Sequence, residues 1–162
     1  MVHDEAGRLE QKSRQEQAAI SILVADDEEI VRDFVAELLN HRGYEVLVAS
    51  NATAALNKAR MHDGLIHLVL TDYEMGAING CQLATQLMSE GFDVKVLIMS
   101  GRDRDEITLP ERAQFIQKPF APAVLLGLVS EMLSTVANAP ERLTVQREQG
   151  EPSKEKRKAS GA

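Results

Sequence analysis

Chemically useful side chains in this sequence stand immediately after short apolar runs. Asp26, Asp27, Glu28 and Glu29 follow AISILVA (19–25), Asp72 follows HLVLT (67–71), Ser100 and Gly101 follow VKVLIM (94–99), and Lys118 and Pro119 follow AQFIQ (113–117). If those run ends meet, the aspartates repel: a unit pair near 4 Å apart costs about 4 kcal/mol at an effective dielectric near 20. A cation must relieve this. An all-oxygen set suits a hard divalent ion such as Mg²⁺, which takes one or two carboxylates, retained waters and substrate phosphate oxygens. Asp27 and Asp72 are the expected direct ligands. With the anion shielded, Asp72 can attack an incoming phosphoryl group and form an acyl phosphate. Lys118 would supply a mobile point charge for the phosphoryl oxygens, and the Ser100 hydroxyl a donor toward them.

The elements that must bring these ends together are legible in the apolar spacing. With YEVLVA (44–49), the four runs above make five short stretches rich in Val, Ile and Leu, which read as strands. Between them, Ile30, Val31, Phe34, Val35, Leu38 and Leu39 recur at helical spacing, and further helices are expected over 52–61, 80–89 and 122–136, the last entered through Pro122. Gly43 and Gly91 stand where helices should end. Strands separated by helices rather than tight hairpins imply parallel pairing with helices on both faces, a doubly wound α/β sheet of five strands. In such a sheet, ligands gather at the C-terminal strand ends where strand order reverses.

Composition narrows the partners. Residues 19–137 carry nine Lys and Arg against seventeen Asp and Glu, which argues against a direct nucleic-acid surface. Cys81 is the single cysteine, so an internal disulfide and a multi-thiolate zinc site are both excluded. No apolar run reaches the roughly eighteen residues of a membrane helix, and the start lacks the apolar stretch of a signal peptide, so a cytoplasmic protein without membrane insertion is expected. Residues 1–18 are polar and read as a frayed or disordered leader; 138–162 mix Pro, Gly, Ser and charge and read as a disordered tail; 19–137 form the domain.

Four motifs, in order and on matching elements, carry a resemblance: LVADDEE, LVLTDYEM, LIMSG and FIQKPF. Over about residues 20–136 the chain resembles the response-regulator receiver domain of two-component signalling, and is closest in style to receivers of or beside hybrid sensor kinases. The resemblance implies a flavodoxin-like sheet of order 2-1-3-4-5. It also implies an acidic metal pocket of Asp26 and Asp27 around Mg²⁺, Asp72 as phosphoacceptor, and the main-chain carbonyl of Glu74 as third protein ligand. Ser100 and Phe115 would be the switch pair, Ser100 moving to the phosphoryl group and Phe115 rotating inward behind it, and the Lys118–Pro119 bond would be cis. A histidine kinase or histidine phosphotransfer protein would donate the phosphoryl group, and with no output module expected after residue 137, a downstream protein target would read the switched surface.

The sequence departs from the family twice. Gly76 and Ala77 stand where the family usually has a proline four residues after the acceptor, leaving the loop over the site freer. Between Ser100 and Lys118 the spacing is short, so RDEITLPERA (104–113) leaves only a stub for a fourth helix, and Pro110 limits it further.

Plainer roles exist for each residue. The acidic run could simply favour a helix N-terminus, Ser100 could cap a helix, Phe115 and Cys81 could be packing residues, and His3, His41, His62 and His67 are expected in solvent rather than on a metal. The SKEKRK run reads as a solvated charged tail. What favours chemistry is that acids, hydroxyl and lysine all fall at strand ends on one rim. Two other functions compete: a docking module that never takes phosphate, and an aspartyl-phosphate phosphatase. The phosphatase would place its D-x-D motif after the first strand, whereas here the candidate nucleophile follows the third within DYE.

Overall fold

The computed structural model describes residues 19–137, with side chains through Ser134; the leader and tail expected at 1–18 and 138–162 lie outside the described residues. Five strands are present: β1 (Ser21–Ala25), β2 (Glu45–Ala49), β3 (Ile66–Asp72), β4 (Lys95–Ser100) and β5 (Ala113–Gln117). They alternate with α1 (Glu29–His41), α2 (Ala52–Met61), α3 (Gly80–Ser89) and α4 (Pro122–Ala137). All neighbours pair in parallel, in the order β2-β1-β3-β4-β5. This is the doubly wound, flavodoxin-like sheet expected.

Alternation along the strands feeds two apolar layers. Ile22, Val24, Leu68, Leu70, Leu97, Met99 and Ile116 face α1 and α4, meeting Val35, Leu39, Leu125 and Val129. Leu23, Ala25 and Val69 face the other way, against Ala55 and Leu56 of α2 and Leu83 and Leu87 of α3. Because both faces are covered, the central strands are apolar at nearly every position, the pattern of a parallel sheet rather than of a half-wet one. Burying each such aliphatic side chain contributes about 1.5–3 kcal/mol, and this packing fixes where the strand ends lie.

Helix ends follow local chemistry. Asn51 caps α2 by accepting from the Ala54 N–H at 2.8 Å. Asn79 and Gln82 exchange bonds in a reciprocal capping box that starts α3. Gly43 and Gly91 follow α1 and the end of α3 with positive φ, in the places expected.

Strand boundaries differ from the sequence expectation by a residue or two. β1 begins at Ser21 rather than 19, β2 at Glu45 rather than 44, and β4 at Lys95 rather than 94. More usefully, β3 runs on through Asp72 and β4 through Ser100, because Asp72 pairs in register with Met99 and Ser100 with Gln117. Both residues therefore hang from ladder-fixed backbone. Between β4 and β5 there is one 3₁₀ turn, Arg104–Glu106, even less than the stub expected for a fourth helix. A groove of about 510 Å³ opens there, lined by Tyr73, Cys81 and Pro110 among others, beside the acidic rim rather than on it.

Two histidines correct the expectation of solvent exposure. His67 is half-buried, and its Nδ1 accepts the Ser21 N–H at 3.1 Å across the β1–β3 pair. His62 is half-buried too, its Nε2 shielded without a hydrogen-bond partner. For His67 the cause is a register shift in the β1–β3 pair: Ser21 and Ile22 pair with Ile66 and Leu68, which leaves His67 between them beside the Ser21 N–H. His41 is exposed as expected, and His3 lies outside the described residues.

Candidate functional site

The C-terminal ends of β1 and β3 flank the point where strand order reverses, and there the structure gathers the acids. One carboxylate oxygen each from Asp26, Asp27 and Asp72 lie within 4.8 Å of one another. Asp26 is fully buried, Asp72 is 6% exposed, and Asp27 opens to solvent. Lys118 reaches in from the end of β5: its Nζ lies 2.9 Å from Asp26 Oδ2, 3.2 Å from Asp72 Oδ1 and 3.9 Å from Glu28 Oε1. The Lys118–Pro119 bond is cis, and the Lys118 N–H donates to the Ser100 carbonyl at 2.8 Å.

Each carboxylate oxygen of Asp26 already accepts from one protein donor. The Glu28 N–H donates to its Oδ1 at 2.9 Å, Lys118 to its Oδ2, and Arg32 Nη1 to its main-chain carbonyl at 3.0 Å. One oxygen thus serves the start of α1, the plainer role weighed for the acidic run, while the other holds the lysine. Asp27 and the second oxygen of Asp72 remain for a ligand.

Three carboxylates thus face one ammonium. Burial pushes the Asp72 carboxyl up to about 6; Lys118 opposes this, and the nearby charge of Asp26 adds to it. For Lys118, burial alone would lower the pKa, but the hydrogen bond to Asp26 and the charges of Asp72 and Asp26 together raise it. A buried carboxylate held in excess negative charge is the environment in which a divalent cation binds most favourably, and an all-oxygen, partly open donor set is the kind Mg²⁺ accepts.

Ser100 is 1% exposed, and its Oγ accepts the Arg102 N–H at 3.1 Å in a turn rather than capping a helix. Phe115 pairs in register with Ile98, so it projects on the same sheet face as Ser100; it is half-buried against the cluster of Ala84, Val96 and Ile98. Cys81 packs against that cluster, and burial pushes its thiol up, as suits an inert packing residue.

The site includes residues the sequence reading passed over. Arg32 is one. Gly80 is another: a Cβ there would fall 2.3 Å from the Asp72 carbonyl oxygen and 3.0 Å from the Thr71 side chain, so only glycine lets α3 start this close to the strand end bearing Asp72. Arg102, which pairs with Glu74, is the third. The sequence reading placed Gly80 only as the first residue of the 80–89 helix, with no reason for a glycine there.

Comparison with known proteins agrees with this fold. The sequence model of the family described as "Response regulator receiver domain" matches residues 22–130. The regulator named alkaline phosphatase synthesis transcriptional regulatory protein SphR, from Synechococcus elongatus, is 31% identical over 133 residues, 75% of this chain and 52% of its own length. The solved receiver domain of the hybrid histidine kinase CckA is 32% identical with a TM-score of 0.62, covering 70% of this chain and 98% of that one. A receiver domain protein from Clostridium thermocellum is 26% identical with a TM-score of 0.66, covering 73% and 97%. The chain spans from about a fifth to about half the length of the first curated relatives it matches. With the matched span covering the five strands from Ile22 onward and the acidic rim, the chain belongs to the response regulator receiver domain family of two-component signalling.

Proposed function

We propose that Asp72 accepts a phosphoryl group from a phosphohistidine of a histidine kinase or histidine phosphotransfer protein, in a Mg²⁺-dependent step. The observation that carries this reading is the joint reach of Lys118 Nζ to Asp26 Oδ2 and Asp72 Oδ1, at 2.9 and 3.2 Å, beside an acidic trio with room for a cation. Asp27 and Asp72 would hold Mg²⁺ directly with the Glu74 main-chain carbonyl, Asp26 shaping the pocket behind them. When bound, the ion shields the approach of anion to anion and steadies charge on the phosphoryl oxygens.

The chain's own residues supply the rest. An Asp72 carboxylate oxygen attacks phosphorus, the P–N bond of the donor breaks, and the departing imidazole nitrogen keeps the electron pair and takes up a proton. Lys118, already against Asp72, shifts its ammonium toward a phosphoryl oxygen, and the Ser100 hydroxyl turns its proton to another. Phe115, on the same sheet face as Ser100, then packs into the space behind it and changes the surface near β4, β5 and α4 that a downstream protein reads. In this reading the chain is a phosphorelay switch and not a turnover enzyme. No helix among the described residues is long and apolar enough to cross a membrane.

The deciding experiment incubates the protein with acetyl phosphate and reads its mass with and without Mg²⁺, and again for Asp72→Asn. A base-labile phosphate adduct, dependent on Mg²⁺ and lost in the variant, supports the switch. No adduct would favour a docking module, and turnover of unrelated phosphoesters would favour a phosphatase.

A further inference from the structure

The loop from Asp72 to α3 spans residues 73–79, lacks proline, and turns through Gly76 at φ +82°. Its inner side is anchored by Met75, which is 5% exposed in the core. Its outer side is held from a different loop. Arg102 Nε donates to Glu74 Oε1 at 2.7 Å, and Nη2 lies 2.5 Å from the same oxygen. The guanidinium carbon sits 5.8 Å from the centre of the Tyr73 ring. The Arg102 main-chain N–H meanwhile donates to Ser100 Oγ at 3.1 Å. One residue therefore grips Tyr73 and Glu74 by its side chain and Ser100 by its backbone, joining the two loops that border Asp72.

We propose that Arg102 is a positioning residue of the site: it does the work of the missing proline, holding the 73–79 loop so that the Glu74 main-chain carbonyl faces the cation position, and it ties that loop to Ser100. This deepens the phosphoacceptor reading and rests on it. Two donors of one planar guanidinium converge on the same Glu74 oxygen, a charge-assisted contact stronger than a single one. A lysine would keep the charge and lose the fork.

The sign of the expected effect separates positioning from plain electrostatics. Arg102 is a cation near a cation site, so by Coulomb's law alone its removal should tighten Mg²⁺ binding. Positioning requires the reverse. Calorimetric titration of Mg²⁺ into the full chain, compared with Arg102→Ala, Arg102→Lys, Glu74→Ala and the double alanine variant, reads the difference. Arg102→Ala should bind Mg²⁺ about two- to fivefold more weakly, the range of a well-aligned exposed ion pair, with Arg102→Lys in between. In the Glu74→Ala background the same replacement should bring no further weakening. Hydrogen exchange of the Mg²⁺-free protein supplies a second readout: the amides of 73–79 should exchange faster in Arg102→Ala, with those of α2 unchanged. Equal or tighter Mg²⁺ binding by Arg102→Ala, or unchanged exchange in the loop, would overturn the inference while leaving the phosphoacceptor reading intact. A wild-type protein that binds no Mg²⁺ would sink the reading and the inference together.

Discussion

Lys118 Nζ and Asp72 Oδ1 lie 3.2 Å apart although 46 positions separate them in the chain, and the same ammonium is 2.9 Å from Asp26 Oδ2. One half-buried cation thus serves two buried anions, with Asp27 adding a third negative charge within reach. The Mg²⁺-free site holds more negative charge than its own residues neutralise, and several measurable consequences follow from that excess.

The first concerns stability. Folding moves Asp72 into a place where its charged form is disfavoured, so Asp72→Asn should stabilise the Mg²⁺-free protein at pH 7 by about 1–3 kcal/mol. The amide oxygen can still accept from Lys118. Urea unfolding with and without Mg²⁺ checks this: the advantage of the variant should shrink or reverse when millimolar Mg²⁺ stabilises the wild type.

The second concerns pH. The Asp72 pKa is raised from an ordinary 3.8 to about 6, so between those values the native state holds a proton that the unfolded state has released. The contribution of Asp72 to stability in the absence of Mg²⁺ is therefore greatest below about pH 4, falls as pH rises through about 6, and is level above that. Mg²⁺ affinity runs the other way. It should be steady above about pH 7 and drop toward tenfold per unit below about 6, as protons compete for Asp72. Titrations at pH 5, 6 and 7.5 measure the slope, and a flat affinity across that span would contradict the assignment of Asp72 as a ligand.

The third concerns Gly80. Adding one carbon there places it 2.3 Å from the Asp72 carbonyl, so α3 must retreat from the end of β3. Gly80→Ala should destabilise the domain by about 2–4 kcal/mol and reduce Mg²⁺ binding as Asp72 is displaced. Gly127 in α4 is the control: its Cβ would meet nothing within 4 Å, so Gly127→Ala should be neutral or stabilise by up to about 1 kcal/mol.

The fourth concerns Ser100. Among the described residues its hydroxyl oxygen accepts only a turn N–H, so Ser100→Ala should change stability by less than about 1 kcal/mol. It should slow adduct formation on Asp72 by about tenfold or more, because a donor aimed at developing phosphoryl charge is lost. Mass spectrometry over a time course of acetyl phosphate treatment reads the rate.

These contacts differ in how far they could be read from residues in order. Strand type, strand order and the gathering of Asp26, Asp27, Asp72, Ser100 and Lys118 on one rim were legible, because apolar runs of similar length each ended in a polar group and the receiver resemblance supplied the order. Strand ends were less so. Whether Asp72 and Ser100 belong to strands depends on register with Met99 and Gln117, and register is a property of the partner strand. Gly80 looked like any weak helix former, since the reason for it is a carbonyl eight residues earlier approached through tertiary packing. Arg102 and Glu74 are 28 positions apart on two loops, where no periodicity constrains side-chain direction. His67 looked exposed because histidine usually is, and its half-burial and the Ser21 N–H beside it come from pairing with another strand.

The central claim is that the phosphoryl group bonds to Asp72 and to no other residue. Borohydride reduction of the acetyl-phosphate-treated protein, followed by peptide sequencing in a mass spectrometer, converts an aspartyl phosphate to a stable alcohol at the modified position. The account predicts that label at residue 72 alone, and only when Mg²⁺ was present. Label at Asp26, Asp27 or any other residue, or label at 72 independent of Mg²⁺, would contradict it.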